Sequence, residues 1–318
     1  GGGVSHRPGA AGLMVLMAAV ATGCATPLAN LRARQDLSTG AGRFAVLFAE
    51  HDVGSDKIVE RALREVSPQL TRWGGLKEPV RVHVLPNHEQ LEEAVDKKGF
   101  RWLRAWARYD EIYVQSPRTW SFFGATQQEV NETLLHELTH SVMYQQAGTL
   151  TTWRRKEIPI WFREGMASFS ANQGYRWPTL EDLALYYQGH PGGADPVSAA
   201  SELYQSESDI VYGAAHHAFG FLVRRYGEDA VRRILAGMSR GQVFPEAFTE
   251  AVGISPKAFT TDFQNYVRFR AFRGGRLRRP FILDPRSDPK LAPGEKVAPD
   301  PKVAPDAAPP APATGGES

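Results

Sequence analysis

Alternating apolar and polar positions mark residues 43–50 (RFAVLFAE) and 80–86 (VRVHVLP) as strands, with Glu111–Gln115 (EIYVQ) a third. Ala105–Tyr109 reads as a fourth, joined to the third by a turn at Asp110 and Glu111. Between the first two strands the period becomes helical. Ile58, Val59, Ala62, Leu63, Val66 and Leu70 form one stripe across residues 55–73. A short helix near His88–Lys97 follows the second strand. After Pro117 strand signals stop, and nearly everything to Arg270 carries helical spacing. A small N-terminal mixed sheet with helices, followed by a mostly helical half, is an α+β plan.

The two ends differ from this body. The apolar run Ala10–Ala21 (AAGLMVLMAAVA), preceded by Arg7, has the length of a secretory h-region and falls short of the ~20 residues of a spanning helix. Ala21-Thr22-Gly23-Cys24 resembles a bacterial lipobox, although Ala21 stands where that pattern prefers leucine. Residues 1–24 are therefore expected to be a signal peptide, with Cys24 lipidated. The alternative is ordinary signal cleavage beside an incidental cysteine. Residues 25–41 read as a linker and 42–283 as the folded domain. Residues 284–318, rich in Pro and Ala and carrying Lys-Val-Ala-Pro-Asp twice, read as a disordered tail. The expected location is exported, as a membrane-anchored lipoprotein of the bacterial envelope, which argues against nucleic acid as a partner.

Composition narrows the picture further. The 318 residues, 42% hydrophobic and 23% charged, can bury a sizeable core. Cys24 is the single cysteine, so no intrachain disulfide is possible. A net charge of +2 argues neither for nor against an anionic partner, and the arginines at 268–279 read as a solvated helix end, with a docking face for anionic lipid or cell-wall polymer as the alternative. Trp102–Trp106 and Trp120–Phe123 are expected in the core or a pocket wall.

Candidate chemistry sits at the join of the two halves. Thr126-Gln-Gln-Glu129 is a capping box that starts a helix. That helix carries His136-Glu137-Leu-Thr-His140. Residues four apart share a face, so both imidazoles converge on one point, as Zn²⁺ binding requires. The other reading is two histidines on the polar face of a surface helix. Pro159-Ile-Trp-Phe-Arg-Glu164-Gly-Met-Ala-Ser-Phe169 reads as a second helix, with Glu164 in an apolar stretch where an unpaired carboxylate is costly. Glu164 is then a third ligand for one zinc ion, or else the partner of Arg163 or Arg155. Glu137 stands where a general base would take a proton from water and return it to a leaving amine.

Together these motifs resemble the gluzincin metallopeptidases, specifically the bacterial peptidase MA-like domains. The resemblance extends through Val211–Glu228 (VYGAAHHAFGFLVRRYGE) and covers about residues 42–270. It implies a zincin-like fold, with the HExxH helix between sheet and helical half, and a zinc metalloendopeptidase acting on peptides or proteins. Thermolysin-like relatives carry an acidic residue four positions after the glutamate ligand; here that residue is Ser168. The family tyrosine that faces the oxyanion maps to Tyr212, with His216 one turn further as second candidate and His217 and Tyr204 behind it. Because zincins bind substrate along an edge strand, Ala105–Tyr109 is a candidate for that role. A catalytically idle zincin-fold scaffold lipoprotein is the competing expectation.

Overall fold

The computed structural model describes residues 27–273, with side chains to residue 270. Cys24, the signal segment, the tail and most of the arginine stretch lie outside them. A five-stranded sheet is built from β1 (Ala33–Thr39), β2 (Gly42–Phe48), β3 (Val80–Leu85), β4 (Ala105–Ala107) and β5 (Glu111–Gln115). Its order is β1-β2-β3-β5-β4, with β2, β3 and β5 parallel and the two edge strands antiparallel. Helices α1 (Ser55–Thr71) and α2 (His88–Val95) lie in the crossovers. The helical half follows: α3 (Gln127–Ala147), α4 (Ile160–Ser170), α5 (Leu180–Gly189), α6 (Ala200–Leu203), α7 (Ser208–Tyr226), α8 (Glu228–Ser239), α9 (Phe244–Val252) and α10 (Pro256–Arg273). Among the described residues no helix is long and apolar enough to cross a membrane.

The two-residue period of each strand divides the sheet's faces. Val80, Val82 and Val84 join Ile112 and Val114 against α1 and α3 in the main core. On the opposite face, Leu85 and Tyr113 pack with Leu91 and Val95 of α2 in a smaller cluster that Trp102 and Trp106 border. The same main core continues into the helical half through Trp161, Phe162, Phe219 and Phe248.

Two expectations are corrected. Residues 33–39 form β1, not linker: the sequence ARQDLST pairs with β2 from Ala33↔Phe48 to Thr39↔Gly42. An edge strand with one face to water tolerates such polarity, which masks its period. Phe122 and Phe123 are not core residues but are 95% and 94% exposed. Trp120 of the same stretch does pack against the core, its Nε1 donating to the Gln115 carbonyl at 2.9 Å.

Candidate metal centre

The capping box forms as its residues dictate. Thr126 N donates to Glu129 Oε2 at 2.7 Å, and Glu129 N donates to Thr126 Oγ1 at 3.2 Å. Helix α3 that follows is buried on nearly all sides from Leu134 to Met143, as befits a helix through the centre of a domain. Ser141 and Gln145 lie one and two turns beyond Glu137 on the same face. Ser141 Oγ donates to the Arg108 carbonyl at 2.7 Å and Gln145 Nε2 to that of Tyr109 at 2.9 Å. Gln145 Oε1 accepts from the amides of Lys77 and Glu78, at 2.8 Å each. These bonds fix α3 against the β4–β5 turn, so the face bearing Glu137 is held toward edge strand β4.

Helix α4 is the second wall. It packs so closely on α7 that a Cβ on Gly165 would lie 2.4 Å from the Ala215 carbonyl oxygen. Only glycine permits that approach, and it brings Glu164 beside the helix bearing Tyr212. Glu164 is 1% exposed in a mostly apolar helix.

His136, His140 and Glu164 converge: one ligand atom from each lies within 4.8 Å of the others. Glu164 Oε2 is 3.6 Å from His136 Nε2 and 3.7 Å from His140 Nε2. That oxygen is buried and takes no hydrogen bond. A tetrahedral zinc ion with bonds of ~2.0–2.1 Å would set such edges at roughly 3.3–3.4 Å. Both spacing and donor set therefore fit the ion, with small adjustment. The second carboxylate oxygen is occupied: Arg163 Nε approaches Glu164 Oε1 at 3.3 Å. Pairing with Arg163 and facing the imidazoles were alternatives for Glu164 in the sequence; the structure combines them on different oxygens. Arg155 instead turns to the Thr151 carbonyl. Burial works to raise the Glu164 pKa, but His140, His136 and Arg163 outweigh it and hold the carboxyl well below its usual range.

Glu137, next to His136 on α3, is 2% exposed. Its charge reaches Tyr212, whose phenol is pushed well above its ordinary value, first by burial and then by Glu164 and Glu137, against the opposing pull of Arg163. Tyr212 thus stays protonated, a hydrogen-bond donor. Its ring is fixed by stacking on Trp177, with centroids 4.8 Å apart.

His216 is not brought to this group. Its Nδ1 shares a 2.8 Å hydrogen bond with Ser168 Oγ, and its Nε2 faces Gly174, where a Cβ would lie 2.6 Å away. Burial, then His217 and Arg224, lower its pKa to about 4, so it is a neutral packing residue near neutral pH. One turn along α7 moves the side chain from the level of Glu164 to that of Ser168, which explains the misplacement. His217 Nε2 bonds the Pro178 carbonyl at 2.9 Å, and Tyr204 packs edge-on against Tyr212.

Gln173 is the residue that the motifs did not indicate. Its Oε1 lies 2.9 Å from His136 Nδ1. An amide oxygen only accepts, so Nδ1 donates to it, which orients the ring with Nε2 facing Glu164 Oε2. This is the orienting partner that Ser168 cannot be. Ser168 instead accepts from Trp177 Nε1 at 3.1 Å and bonds His216, bracing the turn Gln173–Arg176 from behind. No local sequence signal distinguishes a glutamine in a 3₁₀ turn nine residues past Glu164.

The sequence profile of the Peptidase MA superfamily matches residues 74–269. No curated protein matches the chain. Among solved structures, a two-domain M1 zinc metallopeptidase, crystallised as a point mutant bound to L-arginine, is similar at 15% identity over 74% of this chain. The TM-score is 0.39, and the chain spans about half, 51%, of that structure's length.

Proposed function

The chain belongs to the peptidase MA superfamily, and from that premise we propose that it is a zinc-dependent peptidase of the bacterial envelope, held at the membrane by a lipid on Cys24. One observation carries the reading: two imidazole nitrogens and a buried carboxylate oxygen without a hydrogen bond converge beside Glu137. His136, His140 and Glu164 would hold the ion. Zinc bound there supplies Lewis acidity to a water molecule and to the scissile carbonyl.

The chain's own residues do the rest. Glu137 takes the proton of the attacking water and delivers it to the leaving amine. The Tyr212 hydroxyl, kept protonated by its surroundings, donates to the carbonyl oxygen as negative charge develops on it. Gln173 fixes the His136 tautomer, and Arg163 occupies one oxygen of Glu164 so that the other faces the ion. Edge strand β4 lies beside α3 and is suited to hold a peptide backbone in extended form.

The test is Glu137→Gln, which keeps the side chain's shape and all three ligands. Zinc content should stay near one ion per chain while peptide turnover falls by 10²–10⁴, the usual contribution of a positioned acid–base group. Hydrolysis unchanged in this variant would transfer the activity elsewhere and leave a zinc-binding scaffold. Absence of stoichiometric zinc in the parent chain would remove both readings.

A further inference from the structure

The sheet has one end at which its loops carry apolar residues into water. Because β2, β3 and β5 are parallel, they finish together at Phe48, Leu85 and Gln115. Antiparallel β1 begins opposite Phe48, so the chain enters the body at this same end, through a turn at Pro27–Asn30. Leu28 and Leu31 tie that entrance to Ala49 and Leu85. The segments after β2 and β5 share this end: Ser55 Oγ and Ser116 Oγ lie 2.7 Å apart, and the Arg118 guanidinium donates to the Val53 carbonyl. Val53 is 72% exposed, and beyond it stand Phe122 and Phe123, almost wholly exposed.

This exposure is built in. Gly124 N donates to the Ser121 carbonyl at 3.1 Å, closing a turn whose two central residues are the phenylalanines. Ser121 Oγ donates to the Gly124 carbonyl at 2.6 Å, and Ala125 N to the Pro117 carbonyl at 2.7 Å. Trp120, partly buried beneath, anchors the loop through its indole N–H. The two rings meet edge to face, with centroids 5.1 Å apart. Arg118, exposed and donating to Val53, adds a cation at this same end of the sheet. The other large apolar residues exposed among those described, such as Leu150, Leu185 and Val243, are spread singly over the helical half, as is ordinary.

We infer that the Ser121–Gly124 turn docks on a lipid bilayer, with Phe122 and Phe123 entering its interfacial layer and Arg118 meeting anionic headgroups. The occupant follows from where the chain enters. The 26 residues before Pro27, with their apolar run Ala10–Ala21 and Cys24, join the body at the end that presents the two rings. An apolar contact separate from the Cys24 lipid adds to the attachment and fixes the orientation of the body on the surface. Docking would also set the candidate metal centre near the bilayer, His136 lying about 14 Å along α3 from its first residue, Gln127, at 1.5 Å per residue. This rests on the membrane attachment in the proposed function but goes beyond the peptidase activity and does not depend on that activity.

The test uses the full chain carrying Cys24→Ser, which removes both its only thiol and any acylation, so that its outcome is separate from the fate of Cys24. Phe123→Cys, labelled with an environment-sensitive nitrobenzoxadiazole dye, reports on the turn. Ser38→Cys, beside the hairpin at the opposite end of the sheet, is the control. With vesicles of phosphatidylethanolamine and phosphatidylglycerol, emission should rise severalfold and shift to the blue at position 123, with no change at 38. Phe122→Ser with Phe123→Ser should lower vesicle co-sedimentation at least about tenfold while leaving the circular dichroism and melting temperature as in the parent. Equal responses at both positions, or none at 123, overturn the inference. A dye response at 123 that appears without vesicles and grows with protein concentration also overturns it, since the turn would then seat a second copy.

Discussion

Glu111 on the outer face of the sheet and Glu164 in the helical half both lie close to histidines, yet their environments are opposite. Glu111 Oε1 is 3.4 Å from His83 Nε2 and 3.1 Å from Arg81, and its Oε2 accepts from the Tyr113 hydroxyl at 2.8 Å. Both of its oxygens are in use, and the cluster is closed by cations. Glu164 keeps one oxygen for Arg163 and holds the other, without a hydrogen bond, between two imidazoles. A histidine near a carboxylate is thus no sign of a metal site by itself. Convergence of several metal-ligating groups around a buried oxygen that takes no hydrogen bond among the described residues is the better sign, because burying such an atom costs free energy that a bound ion recovers.

Exchanging the two glutamates' roles gives the largest expected effect. Glu164→Ala should abolish stoichiometric zinc binding, as loss of one of three ligands must. Glu111→Ala should leave it intact, and metal analysis after dialysis reads the difference directly. If both variants keep zinc, the contrast drawn between the clusters is wrong.

Tyr212→Phe comes next, with turnover falling on the order of 10² and zinc content unchanged, since the hydroxyl acts only on developing charge. His216→Asn, by contrast, should leave the chemical step near parent level and lower melting temperature, because that ring braces the Gln173 turn. Single-turnover rates on folded, zinc-loaded protein separate the two. A rate loss confined to the His216 variant would move the oxyanion role to that residue.

Gln173→Leu should weaken zinc affinity by about 10–100-fold, the usual cost of removing a ligand's orienting partner. Competition with a chromophoric chelator measures it without any peptidase assay. Gln173→Glu should restore most of the affinity, since it again accepts from His136 Nδ1, and a mere packing role would not predict that rescue.

The smallest effect concerns pH. The close approach of His83, then the Tyr113 hydroxyl and the charge on Arg81, outweigh burial and hold Glu111 at about 2 against an ordinary 4.5. A carboxyl depressed on folding contributes stability that is present above pH 4.5 and lost as pH falls through about 2. Denaturant midpoints at pH 6 and pH 3 should therefore lie closer together in Glu111→Gln than in the parent. An unchanged gap would show that other groups govern the acid limb.

Most of the framework was legible in the residues because local physics decides it. The Glu111–Gln115 strand and the capping box at Thr126 appear where their patterns put them, since periodicity and caps act within a few residues. The spacing within α3 likewise set His136 and His140 on one face. The rest depended on contacts between segments distant in sequence. β1 has too polar a pattern to be seen until β2 supplies its partner. Phe122 and Phe123 look like core residues in composition, and only the closed turn shows that they point to water. Gln173 orients His136 across 37 positions of chain, and a Cβ missing from Gly165 decides which turn of α7 faces Glu164. Sequence determined the helices and the candidate ligands they carry. Tertiary structure alone chose their partners, because a side chain's hydrogen-bond partner is set by which backbone packs beside it, and no short-range pattern encodes that.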